Sequence, residues 1–258
     1  MRSARAAEDI LAAPDAIAAF ANAVEQSEQR PGMLLVLPDL LTRSEVETLV
    51  ELCKNVEFVD GGISAAGLAR QGVKQNTEML HKGPTAETIR DTVFGAIERN
   101  ATFRTAALPQ KIKDPLISRY VAGQHYGTHI DNPVMYRKGQ PPLRLDLSMT
   151  IFLSAPEDYE GGELVLDTGF GEKAIKLPAG QAILYATTMP HRVAEVTSGT
   201  RLAAITWIQS LVADPARRKI IYDLAVVADF LRKEHPQSEP FVRLHNAYAN
   251  LIRQWATN

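Results

Sequence analysis

Residues 181–209 read QAILYATTMPHRVAEVTSGTRLAAITWIQ, and their pattern decides the fold. Apolar and β-branched residues come in short runs, 181–186, 192–196 and 201–209, with turn chemistry such as Ser198-Gly199 between them. In the last run Arg201, Ala203, Ile205 and Trp207 share one face of a strand, and Leu202, Ala204, Thr206 and Ile208 share the other. Upstream the pattern repeats over 173–177, 163–167, 145–154 and 116–121. Pro178-Ala179-Gly180, Gly169 with Gly171, and Gly161-Gly162 punctuate these runs. Many short strands at this spacing predict a sandwich or barrel of the jelly-roll kind.

Helical periodicity surrounds this β region. Residues 6–28 read as an Ala-rich helix, followed by a short apolar strand over 33–37. A second helix starts at Thr42 or Ser44, each with a Glu three residues on as in a capping box. It carries Val46, Leu49, Val50 and Cys53 on one face, so Cys53 is a core residue in this reading. Pro84 opens a third helix over 84–98 with Ile89, Val93, Ala96 and Ile97 at helical spacing. After the β region, Asp214-Pro215 caps a helix striped with Ile220, Leu224, Val227 and Leu231, and a last one shows Leu244, Tyr248, Leu251 and Trp255. The chain is thus expected to be α+β and mainly β, with supporting helices and first strands over 1–100, a β core over 101–211 and a helical annex over 212–258. The annex stripes suit packing or a homo-oligomer contact.

Composition narrows the function classes. With 258 residues, 45% of them hydrophobic, the chain can bury a large core. Its 28 basic and 30 acidic residues give a net charge of −2, no basis for a nucleic-acid partner. A single cysteine excludes an intramolecular disulfide or a multi-thiolate metal site, which fits the cytoplasm. Glu8, Asp9 and Asp15 interrupt any apolar leader, so neither export nor a membrane partner is expected.

The chemistry-bearing residues lie in the β region. In His129-Ile130-Asp131 a strand would project the imidazole and the carboxylate to the same side. Alone, so short a motif arises easily by chance. His191, 60 positions after Asp131, can complete a two-His-one-carboxylate face. That face leaves three metal positions open, two for the carboxylate and keto oxygens of an α-keto acid and one for dioxygen, as in non-haem Fe(II) oxygenases. Ten residues further on, Arg201 offers a planar, permanently charged fork for a distal carboxylate. In 145–154 the polar set Asp146, Ser148 and Thr150 either faces the interior or forms a solvated face; alternation permits both. Lys74-Gln75-Asn76 and the loop 132–144 are candidate rim elements, and His125 stands close to the proposed metal strand.

A longer set of motifs makes a resemblance. Arg119-Tyr120, Tyr126-Gly127, His129-Ile130-Asp131, Asp146-Leu147-Ser148 and Glu160-Gly161-Gly162-Glu163-Leu164 appear in order. Leu177-Pro178-Ala179-Gly180, Pro190-His191-Arg192-Val193 and Trp207-Ile208-Gln209-Ser210 follow. From about residue 34 onward the sequence resembles the PKHD-type hydroxylases of the prolyl-hydroxylase-like oxygenases. The resemblance implies a double-stranded β-helix, iron at His129, Asp131 and His191, and 2-oxoglutarate at Arg201. It also implies Tyr120 as a donor to the cosubstrate, Trp207 packed behind the site and ascorbate as reductant. The implied reaction hydroxylates an unactivated C–H of a small-molecule or peptidyl substrate, with succinate and CO2 as coproducts. Asp131 fills the position that a halogenating relative leaves to chloride, so hydroxylation is the expected outcome. Two rivals are a hydrolytic zinc enzyme, which has no need of Arg201, and a non-catalytic β-helix protein that binds or senses iron or a small ligand.

Overall fold

A computed structural model describes residues 34–63, 73–80, 83–136, 139 and 141–257. The helix expected over 6–28 lies outside the described residues. In chain order the elements are β1 (Leu34–Leu37), α1 (Arg43–Lys54), β2 (Phe58–Asp60), β3 (Lys74–Gln75), β4 (Thr77–Met79), α2 (Pro84–Arg99), α3 (Ala101–Ala107) and β5 (Pro109–Ile112). Next come β6 (Leu116–Val121), β7 (His125–His129), β8 (Val134–Met135), β9 (Leu143–Arg144), β10 (Leu147–Phe152), β11 (Tyr159–Gly161) and β12 (Leu164–Asp167). Then follow β13 (Glu172–Ile175), β14 (Ala182–Ala186), β15 (His191–Val193), β16 (Val196–Ser210), α4 (Pro215–Glu234) and α5 (Glu239–Trp255).

Residues Leu34–Ser210 form one compact unit, and those from Leu211 belong to a second. In the first, a nine-stranded sheet runs β1-β14-β10-β16-β6-β4-β2, with β11 and β5 also paired to β16. A five-stranded sheet runs β13-β12-β15-β7-β3. Phe152, Ile183 and Tyr185 from the large sheet pack against Leu164, Leu166 and Ile175 from the small one, so the sheets lie face to face as in a jelly roll.

Local chemistry explains the helices. Thr42, not Ser44, caps α1: its hydroxyl accepts from the Glu45 N–H while the Glu45 carboxylate accepts from the Thr42 N–H. Leu49 and Cys53 are buried on α1, and Ile89, Val93, Ala96 and Ile97 on α2, as the stripes predict. In the second unit, Asp214 caps α4 through the Arg217 N–H and Ser238 caps α5 through the Phe241 N–H.

Two expectations need correction. The turn expected at Ser198-Gly199 lies inside the 15-residue β16. Gly199 has φ +75°, and a Cβ there would lie 2.1 Å from the Asp158 carbonyl oxygen, so this glycine lets β11 approach β16. Also, β7 ends at His129, so Ile130 and Asp131 are not part of a strand. Asp131 is instead fixed by its N–H, which donates to the Thr187 carbonyl at 3.2 Å.

Candidate metal and cosubstrate site

The proposed metal ligands come from separate places in the small sheet. His129 ends β7 and His191 begins β15, and the two face each other directly in the antiparallel register. Asp131 lies just beyond β7. The potential ligand atoms of His129, Asp131 and His191 all lie within 4.8 Å of one another. His191 Nε2 is 3.9 Å from Asp131 Oδ2, and the two imidazole centroids are 4.2 Å apart.

Each imidazole is held by its own backbone. His129 Nδ1–H donates to the Gly127 carbonyl at 2.9 Å, and His191 Nδ1–H to the Met189 carbonyl at 3.0 Å. Both Nε2 lone pairs are then available to a cation. Burial, aided by the neighbouring His191, holds the His129 pKa down to about 4, so this ring is neutral near pH 7. Tyr126 stacks on His129 at 3.7 Å, and Tyr185 meets His191 edge-on at 5.2 Å. The Ser148 hydroxyl donates to Asp131 Oδ2.

That contact decides how the strand 145–154 is oriented. Ser148 and Thr150 are both buried on the inner face; Thr150 lines the cavity and Ser148 touches Asp131. Asp146 differs. Its carboxylate accepts from Arg144 Nε at 2.8 Å and from the Ser210 N–H at 2.8 Å, tying the entry to β10 to the end of β16.

A cavity of about 200 Å³ opens over this cluster. Arg201, Ile205 and Trp207 line it from β16 and Tyr120 from β6, so the alternation read in the sequence is the one that faces inward. Arg201 and Tyr120 pair in register, and the guanidinium lies 5.3 Å from the Tyr120 ring and 5.6 Å from that of Phe152. Arg201 is 1% exposed, no described carboxylate forms a salt bridge with it, and its Nε lacks a hydrogen-bond partner among the described residues. A buried, unpaired cation at a cavity wall is costly, and a carboxylate ligand supplies what it lacks. The two imidazoles beside a carboxylate likewise suit a divalent ion with open positions. The residues present therefore fit both Fe(II) and a dicarboxylic cosubstrate.

Glycine makes the Arg201 niche possible. Gly162 has φ +67°, and a Cβ there would lie 2.9 Å from Val196, 3.0 Å from Tyr159 and 3.1 Å from the Arg201 Cδ. Of the rim candidates, Lys74, Asn132 and Met135 line the cavity, whereas Gln75 is exposed. His125 stands on β7 but is not part of the wall. Sequence reasoning did not single out Glu78 or Lys113. Lys74 on β3 of the small sheet and Glu78 on β4 of the large one form an ion pair between the two sheets, with each side chain 7% exposed, and Lys113 lies 4.5 Å over the Trp207 ring.

The sequence pattern of the 2OG-Fe(II) oxygenase superfamily matches residues 115–209, and that of the PKHD-type hydroxylase C-terminal domain matches 215–257. A PKHD-type hydroxylase from Polaromonas sp. is 44% identical over 226 residues, covering 87% of this chain and 99% of the relative. The chain belongs to the PKHD-type hydroxylases. Another member, from a Synechococcus strain, is 43% identical over 224 residues, again covering 87% and 99%. Among solved structures, a 2OG-Fe(II) oxygenase family oxidoreductase from Burkholderia pseudomallei has a TM-score of 0.54 at 18% identity, covering 73% of this hydroxylase and 89% of that chain. A Pseudomonas putida prolyl-4-hydroxylase has a TM-score of 0.50 at 16% identity, covering 74% and 98%. These likenesses extend the fold assignment, and family membership makes this PKHD-type hydroxylase a 2-oxoglutarate-dependent enzyme that uses Fe(II). Among the described residues no helix is long and apolar enough to cross a membrane.

Proposed function

We propose that this PKHD-type hydroxylase holds Fe(II) with His129, Asp131 and His191, and 2-oxoglutarate with Arg201 and Tyr120. Its reaction is hydroxylation of an unactivated C–H in a small-molecule or peptidyl substrate, with succinate and CO2 as coproducts. The observation that carries this reading is the buried Arg201, without a carboxylate partner among the described residues, on the wall of the cavity that holds the His-Asp-His cluster. When bound, the metal and cosubstrate supply oxygen activation and oxidative decarboxylation.

The chain's own residues contribute placement and exclusion. Arg201 clamps the distal carboxylate through its fork, and Tyr120 donates to the same group. Tyr126 and Tyr185 hold the imidazole planes, while Ser148 fixes the Asp131 carboxylate through Oδ2, the oxygen that lies 3.9 Å from His191 Nε2. Leu116, Leu145, Met135, Ile205 and Trp207 give the remaining cavity an apolar wall that keeps water from the reacting centre. Ascorbate serves as the reductant that returns the metal to Fe(II), and the single cysteine suits a cytoplasmic setting. The C-terminal helices serve as a homo-oligomer contact.

The test is succinate formation from 2-oxoglutarate by Fe(II)-loaded protein across a metabolite and peptide panel, with His129→Ala as blank. Substrate-dependent succinate that disappears in the blank is the expected result. Unchanged turnover in the blank would remove His129 from the metal set. Tight binding of metal and 2-oxoglutarate without succinate would favour a binding or sensing protein.

A further inference from the structure

Asn76 stands between β3 and β4 and does not line the cavity, yet it is only 2% exposed. Its Nδ2 donates to Ser118 Oγ at 2.6 Å, a buried bond between residues 42 apart. Ser118 is also 2% exposed and lies opposite Ala203, on the inner face of β6 that carries Tyr120 two residues later. Ser118 and Tyr120 line the cavity side by side from this face, the Ser118 hydroxyl near enough to oppose the burial that raises the Tyr120 pKa, and Tyr120 pairs in register with Arg201. A line of polar groups thus runs from the start of β4 to the guanidinium.

Donor and acceptor rules give this line a direction. An amide N–H can only donate, so the Ser118 oxygen accepts from Asn76 and has its own proton to give to the Tyr120 oxygen. The Tyr120 proton is then left for the cavity. A carboxylate beside Arg201 carries no proton at neutral pH and requires donors, so this is the sense it needs. In the reverse sense the phenol would spend its proton on Ser118 and present a lone pair to the carboxylate.

Stability alone does not account for Asn76. Its Oδ1 is buried without a partner among the described residues, an arrangement that costs the desolvation of that oxygen. Gly61 makes room for it: a Cβ there would lie 2.0 Å from Oδ1, and the Gly61 N–H holds the Asn76 carbonyl at 2.9 Å. We infer that Asn76, acting through Ser118, is a positioning residue that commits the Tyr120 hydroxyl to donate to the cosubstrate carboxylate at Arg201. The inference rests on the placement of 2-oxoglutarate proposed above.

The test is calorimetric titration of 2-oxoglutarate into Mn(II)-loaded full-length protein under argon, together with KM and kcat of the Fe(II) enzyme. Asn76→Asp is nearly isosteric but removes the donor and reverses the line, so Kd and KM for 2-oxoglutarate are expected to rise about tenfold, with kcat at saturation little changed. Asn76→Ala removes more volume but reverses nothing, and a rise of about threefold is expected. In a Tyr120→Phe background the effect of Asn76→Asp is expected to vanish. Ser118→Ala repeats the loss from the middle of the line and Ser118→Thr restores binding, which covers the case of an Asn76 variant that does not fold.

A larger loss in Asn76→Ala than in Asn76→Asp would overturn the inference in favour of simple packing. So would an Asn76→Asp effect that persists without the Tyr120 hydroxyl. Either result leaves cosubstrate binding by the wild type intact, whereas no 2-oxoglutarate binding by the wild type defeats both the inference and the site assignment beneath it.

Discussion

Replacing Arg201 with methionine separates what the residue does for the empty protein from what it does for the loaded one. The guanidinium is 1% exposed, has no described salt-bridge partner and leans on the rings of Tyr120 and Phe152 at 5.3 and 5.6 Å. Exchanging buried ionic groups for apolar ones of similar volume stabilises proteins by about 1–4 kcal/mol, while the lost ring contacts forfeit about 0.5–1 kcal/mol each. The net gain expected for the unliganded Arg201→Met protein is therefore about 1 kcal/mol, which for a chain of this size raises Tm by roughly 2–4 °C. Differential scanning calorimetry of metal-free protein measures this. In the same instrument, saturating 2-oxoglutarate with Mn(II) should raise the wild-type Tm and leave the variant where metal alone puts it. A variant that melts well below wild type when empty, or that still gains stability from 2-oxoglutarate, would refute the reading of Arg201 as an unpaired charge awaiting a carboxylate.

Other substitutions probe the surroundings. Ser148→Ala frees the Asp131 carboxylate from its only side-chain donor among the described residues, and should weaken Fe(II) affinity about tenfold or more in an anaerobic titration, with Ser148→Thr retaining most of it. Gly162→Ala forces a side chain into φ +67° and against the stem of Arg201, so stability should fall by roughly 1–3 kcal/mol in urea unfolding and 2-oxoglutarate binding should weaken with it. Burial pushes the Cys53 thiol up to about 11 from its ordinary 9.0, so it should resist a thiol reagent at pH 8 until the protein unfolds. The sign of its pH dependence follows: the unfolded thiol ionises from about pH 9 while the folded one stays protonated, so its contribution to stability is complete below pH 9 and declines as pH rises towards 11.

The parts of this fold legible in sequence are those where one periodicity runs unbroken. The stripes of α1 and α2 and the strand Leu116–Val121 are of this kind, as is the alternation that places Arg201, Ile205 and Trp207 on one inward face. Strands of two or three residues, such as β3 and β4, are too short for a period to register, and Glu78, which β4 carries into the cavity wall, went unnoticed with them. His129-Ile130-Asp131 points both groups to the site, but the backbone leaves the sheet after His129 and is turned by the Thr187 carbonyl, a partner 56 residues away. Whether Ser148 faces inward was likewise undecidable from alternation alone, because alternation fixes which residues share a face and not which face is covered. Ser198-Gly199 reads as a turn by composition, yet here the glycine serves the close approach of a neighbouring strand.

The length of β16 bears on inhibitor design. It carries Arg201 at one point and Trp207 six residues on, so at about 3.3 Å per residue the grip on the cosubstrate and the far apolar wall lie roughly 20 Å apart along one strand braced by β6 and β10. A carboxylate warhead aimed at Arg201 alone engages one end of this strand. A compound extended along the strand past Ile205 towards Trp207, Lys113 and Met135 would also engage the far wall of the cavity without loosening the anchor.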